Sequence, residues 1–257
     1  MRTVVKTHCL AAMVAAFAAM PAWAGETAKP HWTYEGAHGP DHWAELAGEF
    51  AQCGAGAAQS PVDIRTGDVT AGASTPLIAG YQPSPLHIVN NGHTIEVEYA
   101  PGSALLLGGE RYELKQFHFH APSENAIDGH HAAMEAHFVH ANAAGGLAVI
   151  AVMMEAGADN PALARLWAHL PDAAQGSFAS AEVRVNAGDL MPQQRAAYSF
   201  TGSLTTPPCS EGVSWFVLKE PVFVGAGQVA AFLNAVGWNA RPLQPLNARA
   251  ITSIGGK

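Results

Sequence analysis

Three histidines on two extended stretches have the plainest capacity for chemistry. In Gln116-Phe117-His118-Phe119-His120, polar and aromatic side chains alternate. A strand sends successive side chains to opposite faces, so Gln116, His118 and His120 share one face and the two phenylalanines the other. Residues two apart along a strand are about 6 to 7 Å apart, close enough for their imidazoles to converge on one ion. The stretch Glu135-Ala136-His137-Phe138-Val139-His140 puts Glu135, His137 and Val139 on one face and sends His140 the other way. If the two stretches pair as a hairpin through the Gly129 region, His137 completes three nitrogen ligands and leaves a fourth position open. That is the layout of a catalytic zinc site, whereas structural sites use four protein ligands. Gln116 and Glu135 each precede a ligand by two residues on the same face. They can accept the second ring N–H and so fix the tautomer.

A lone His-x-His is a weak signal, because a strand histidine is usually a core or surface residue. Two stretches carrying matched pairs of ligand and acceptor are hard to explain as packing. The rival chemistry is that of a cupin-like dioxygenase or isomerase, since His118-x-His120-x3-Glu124 also fits a site holding iron or manganese through a carboxylate. Against it, no second glycine- and proline-marked half-motif precedes His137, and Gly109 lies too far from His118.

The elements that must position these residues are mostly strands. Short apolar or alternating stretches recur at about 86–89, 93–99, 104–107, 112–120, 132–140, 147–155 and 213–219, separated by Gly, Pro and Asn. Helical patterns are few: residues 41–50, 161–170 behind Asn160 as N-cap with proline at the first helical position, and 227–236 closed by Gly237. The expected fold is mainly β, a large central, twisted, mostly antiparallel sheet with a few short peripheral helices.

The first 24 residues stand apart. Arg2 and Lys6 precede an apolar run over 9–20, followed by Ala22-Trp23-Ala24, which reads as a secretory signal cleaved before Gly25. The run is about a dozen residues where a membrane-spanning helix needs roughly 20. The rest, residues 25–257, fits a single domain with a sizeable core. The chain has a formal net charge of −8, and loss of Arg2 and Lys6 makes the remainder more negative still. Such a surface repels phosphate backbones, so nucleic acid is excluded as a partner. Cys9 leaves with the signal, and Cys53 and Cys209 then face an oxidising compartment, where one disulfide is the natural reading and two reduced thiols the alternative.

The chain resembles the alpha-class carbonic anhydrases, bacterial branch, over nearly all of its length from His31-Trp32 to about residue 251. The stretches that carry the resemblance are Gln59-Ser60-Pro61-Val62-Asp63-Ile64, Asn90-Asn91-Gly92-His93, the two histidine stretches, Ser123-Glu124, Gly202-Ser203-Leu204-Thr205-Thr206-Pro207-Pro208, and 215–221. Their joint order and spacing are highly specific. The resemblance implies Zn2+ on His118, His120 and His137 and reversible hydration of carbon dioxide to bicarbonate by zinc-bound hydroxide. Zinc lowers the pKa of its water to about 7, a value for which this family is itself the standard example.

The same resemblance assigns Glu124 and Thr205 to catalysis. An ionised Glu124 can only accept, so Thr205 donates to it and must accept from the attacking hydroxide. It also places His93 at the pocket mouth as proton shuttle, with His31 or His38 as alternatives. The uncharged substrate calls for an apolar wall, assigned to Val139, Val149, Leu204, Val213 and Trp215 with Thr206 beside them. Cys53 and Cys209 match the pair that extracellular relatives join, which would brace the Thr205 loop against the N-terminal segment.

Further implications are inhibition by sulfonamides and anions, a side esterase activity, a periplasmic location free of the membrane after cleavage with full secretion as the alternative, and a homodimer as an allowed assembly. Asn125 stands where many relatives have histidine, Phe200 where animal enzymes have tyrosine, and Ala121-Pro122 where animal enzymes have Trp-Gly. A non-catalytic recognition domain on the same fold is the competing class, and the presence of all three histidines, Thr205 and Glu124 argues against it.

Overall fold

Alternation of aromatic and polar side chains makes Glu110–His120 and Met134–Ala141 strands with one apolar and one polar-lined face. The computed structural model describes Met1 and residues 30–72, 77–171 and 174–255, and the architecture below belongs to the unit His31–Lys257. The signal read at residues 2–24 lies outside the described residues. The two histidine strands pair antiparallel, with His118 opposite His137, Gln116 opposite Val139 and His120 opposite Glu135. The connection between them turns at Asp128 and Gly129, both at positive φ, and is pinned by Ile127 and His130 bonding each other. At Gly129 the conformation suits a residue without Cβ.

Among the described residues, these strands sit in the middle of a 13-stranded sheet. From one edge it runs through Ser177–Val185, Ser84–Asn90, Ile95–Glu98, Glu110–His120, Met134–Ala141, Leu147–Ala156, Glu211–Leu218, Ala197–Ser203 and Thr252–Ile254 to Thr70–Ala71. Antiparallel pairing dominates, as expected, but Leu147–Ala156 runs parallel to Glu211–Leu218. The chain leaves the first of these strands through the Pro161–Trp167 helix and further strands before returning, and only such a long crossover permits a parallel neighbour.

The two sheet faces have different fates. Phe117, Phe119, Phe138, Ile150 and Val152 are buried in the main core. The helices Pro161–Trp167 and Ala226–Val236 cover this side through Leu163, Leu166 and Phe232. Each such side chain contributes on the order of 2 kcal/mol by leaving water. The other face carries the histidines and a second cluster that includes Val149, Val213 and Trp215.

Helix ends follow the expected chemistry. Asn160 Oδ1 accepts from Ala162 and Leu163 N–H, and Gly237 at φ 85° ends the last helix. The expected helix over 41–50 is instead broken into Pro40–His42, Trp43–Leu46 and Gly48–Phe50. Ala47 is extended between the last two, and the Trp43 indole is held by the carbonyls of Thr33 and His38. The turns therefore wrap round the buried Trp43. Strands Ser177–Val185 and Ala197–Ser203 lie outside the stretches marked by apolar patterning; their sequences are rich in serine, threonine and small residues, and neighbouring strands supply their pairing.

Candidate metal centre

The adjacent strands Glu110–His120 and Met134–Ala141 bring the three histidines together, with candidate ligand atoms all within 4.8 Å of one another. Ring centroids are 5.0 Å apart for His118 and His120, 5.3 Å for His118 and His137, and 4.5 Å for His120 and His137. Each ring has a polar oxygen on its far side. Gln116 Oε1 lies 2.8 Å from His118 Nδ1, the Asn239 carbonyl 2.8 Å from His120 Nδ1, and Glu135 Oε1 3.2 Å from His137 Nε2. That leaves Nε2 of His118, Nε2 of His120 and Nδ1 of His137 for the shared space. Among the described residues, His120 Nε2 faces that space buried and with no hydrogen-bond partner, and His137 Nε2 on the far side of its ring has only the Glu135 carboxylate close by; an inward-facing orphan nitrogen is costly unless an electron-pair acceptor sits there. Three converging imidazoles, with the inward Nε2 of His120 lacking any other partner, suit zinc.

Electrostatics favour the neutral ligand form. Burial, reinforced by His120 and His137, pushes His118 well below the ordinary histidine value, and burial lowers His120 against its bond to Asn239. Glu135 is fully buried and burial raises it, yet His137 and the hydrogen bonds from His137 and Asn125 outweigh that and hold it low. Asn125 clasps Glu135 with both its amide groups, N–H at 2.8 Å and Nδ2 at 2.7 Å, and its Oδ1 accepts from Val62 N–H.

Glu124 sits under the cluster, with Oε2 at 3.5 Å from His120 Nε2 and 3.8 Å from His137 Nδ1. Its Oε1 accepts from the Arg241 backbone N–H at 2.9 Å. Burial pushes the carboxyl up to about 7, against His137, the Arg241 N–H and the nearby Thr205 side chain, which lower it; Oε2 itself has no hydrogen-bond partner among the described residues. Thr205 is buried and Thr206 half-buried in the turn that follows Ser203. Cys53 and Cys209 are bonded, with Cα atoms 5.0 Å apart, so the turn is joined to the Gln52–Ala55 helix.

The apolar side chains assigned to a wall all fall in or against the cluster on the histidine face. Val149 is paired with Val139 and with Trp215 on adjoining strands, Val213 lies two residues from Trp215, and Leu204 packs on the group. Trp215 meets His137 edge-on at 5.0 Å, and Phe200 stacks on Trp215. His93 is half-buried and stacked on Trp32, with ring centroids 3.8 Å apart. It lines a cavity of about 480 Å³ with His31, Tyr34, Gly237 and Trp238. Burial and the neighbouring His31 lower its pKa. His31 and His38 lie 5.7 Å apart.

Asn239 and Arg241 are site residues that patterning did not reveal. Asn239 accepts from His120 with its carbonyl and from Ala121 N–H with Oδ1, and its Nδ2 donates to the carbonyls of His93 and Phe119. It thereby ties the His93 main chain to a candidate ligand.

A model of the eukaryotic-type carbonic anhydrases matches residues 38–255. A carbonic anhydrase of Pectobacterium carotovorum is 46% identical over 230 residues, 89% of this chain and 93% of that protein. Among solved structures, the alpha-carbonic anhydrase of Thermovibrio ammonificans in complex with the inhibitor sulfanilamide is 41% identical with a TM-score of 0.85, covering 88% of this chain and all of that one. A hyperthermostable carbonic anhydrase from an active hydrothermal vent chimney is 45% identical with a TM-score of 0.84, over 87% of this chain and 100% of the other.

Proposed function

The chain belongs to the eukaryotic-type, or alpha-class, carbonic anhydrase family, and from that premise we propose how its own residues carry the reaction. The activity is zinc-dependent, reversible hydration of carbon dioxide to bicarbonate and a proton. His118 and His120 would hold the metal through Nε2 and His137 through Nδ1; the partnerless buried Nε2 of His120 is the observation that carries this assignment. Bound zinc supplies Lewis acidity, making hydroxide available from water near neutral pH, a property for which carbonic anhydrases are the standard example.

The protein's own groups do the rest. Gln116, the Asn239 carbonyl and Glu135 orient the rings, and Asn125 holds Glu135. Glu124, once ionised, takes the Thr205 hydroxyl hydrogen, so Thr205 has only acceptor capacity left toward the open position and aims the nucleophile's lone pair. Val139, Val149, Leu204, Val213 and Trp215 give an uncharged substrate a dry wall, with Thr206 beside it. His93, beside a cavity and with a pKa below the ordinary value, passes the product proton outward.

Sulfonamides and small anions are the expected inhibitors, and activated esters a side substrate. The signal-like pattern of residues 2–24 and the disulfide support export to the periplasm or beyond it, with residues 25–257 as one domain and a homodimer as an allowed assembly.

Stopped-flow hydration with a pH indicator, before and after chelation, tests the reading. Activity should vanish with the metal and return on addition of one equivalent of zinc per chain. Hydration that survives complete chelation, or that returns with iron but not zinc, would overturn it.

A further inference from the structure

Arg241 is a buried cation with no carboxylate bound to its guanidinium among the described residues. Only 3% of its surface is exposed, although arginine is rarely buried without a pair. Oxygen acceptors from the N-terminal segment hold its two terminal nitrogens, while Nε is buried with no partner among the described residues. Nη1 donates to Gln59 Oε1 at 2.9 Å and to the Ser60 carbonyl at 2.7 Å, and Nη2 donates to the Cys53 carbonyl at 2.9 Å. The group also lies over the Trp43 ring, 5.6 Å from its centroid. Burial lowers it to about 10 while Glu124 pulls the other way, so it keeps its charge at neutral pH.

Two of these contacts lead to the turn that carries Thr205. Gln59, whose Oε1 is held by Arg241, donates from Nε2 to the Cys209 carbonyl at 3.0 Å. Cys53, whose carbonyl is held by Arg241, is bonded to Cys209. Cys209 closes the Thr205 turn, its N–H bonding the Thr206 carbonyl at 2.8 Å. The other end of Arg241 leads to Glu124, because its backbone N–H donates to Glu124 Oε1 at 2.9 Å. One residue is thus attached to both partners of the hydroxyl–carboxylate pair, to the turn by its side chain and to the carboxylate by its main chain.

Resting on the roles given above to Thr205 and Glu124, we propose that Arg241 is a positioning residue that sets the distance and angle between the Thr205 hydroxyl and the Glu124 carboxylate. A planar fork with several donors holds its acceptors at fixed relative positions, as a lysine ammonium on a flexible stem does not. Alignment of this kind is sensitive, since displacement of about 1 Å at a reacting centre can cost on the order of a hundredfold in rate.

The test is a double-mutant cycle on the zinc-loaded enzyme, with kcat/KM for hydration expressed per bound zinc. Arg241→Gln should lower kcat/KM roughly tenfold or more, and Arg241→Lys should restore part of the loss. In a Thr205→Ala background the same Arg241→Gln change should have less than about a twofold effect, because the pair it aligns is already broken. An equal fall in both backgrounds would show a general structural role and overturn the proposal, as would a fully active Arg241→Gln enzyme. If Thr205→Ala alone left kcat/KM unchanged, the role of the hydroxyl would be what fails, and the proposal would fall with it. Should Arg241→Gln not fold, Gln59→Met severs the link to Cys209 and leaves Arg241 in place. It should produce a smaller fall that again depends on Thr205, and a fall independent of Thr205 would overturn the proposal.

Discussion

Replacing both Cys53 and Cys209 by alanine removes a cross-link between residues 156 apart in sequence. Closing so long a loop restricts the unfolded chain, and the chain-entropy relation gives about 5 kcal/mol at 25 °C. Alanine is the better replacement than serine here: Cys209 is fully buried and Cys53 nearly so, among Trp43 and Phe50, where a serine hydroxyl would add a cost of about 1 to 3 kcal/mol unless it found a partner. The expected loss is therefore about 3 to 5 kcal/mol, allowing for residual order in the unfolded state. At about 2 to 4 °C per kcal/mol for a chain of this size, the melting temperature should fall by roughly 6 to 20 °C. Guanidinium unfolding followed by tryptophan fluorescence should show a lower midpoint and a larger m-value, because the unfolded chain without the bond exposes more surface. An unchanged midpoint and m-value would refute the cross-link argument. Hydration well below the transition gives a second reading. The bond is one of two ties from Cys209 toward Arg241, so kcat/KM per zinc should fall even where the variant is fully folded. If stability drops and kcat/KM does not, the bond stabilises the fold without bracing the Thr205 turn.

Three further outcomes are expected. His137→Ala should lose both zinc, measured by elemental analysis of dialysed protein, and hydration activity; full retention of either would end the ligand assignment. His93→Ala should lower maximal turnover in dilute buffer roughly tenfold or more while leaving kcat/KM nearly unchanged, with added imidazole restoring much of the loss; unchanged turnover would pass the role to His31, His38 or a water path. His140 is held near 4 by burial, against hydrogen bonds to the Ala148 and Phe138 carbonyls that raise it, and Tyr81 Oη lies 2.9 Å from its Nε2. The unfolded chain takes up this proton first, near pH 6.5, so the contribution is complete above that pH and is lost as pH falls toward 4, by about 3 kcal/mol in all. Unfolding free energies measured across that window should flatten in His140→Gln, and an unaltered slope in the variant would count against the buried neutral ring.

The ligand set was legible in the sequence because a strand writes its faces in every second residue. Gln116, His118 and His120 share one face, as do Glu135, His137 and Val139, and these local relations survive whatever else the chain does. The helix after Asn160 was equally readable, since its cap and proline are neighbours in sequence. The helix expected over 41–50 misled, because the Trp43 indole finds its carbonyls in residues 33 and 38, and tertiary anchoring overrode local propensity. Asn239 was invisible for a different reason: it meets His120 through a main-chain carbonyl 119 residues away, and a carbonyl belongs to every residue type. Arg241 joins residues more than 180 positions distant to Glu124, so its composition reads only as a charge near the end of the chain. Sequence fixes which side chains can hold a metal, through short-range periodicity. Only the folded sheet decides which distant backbone groups aim those rings and set the hydroxyl against the carboxylate, because those contacts come from segments that meet only when the chain is closed on itself.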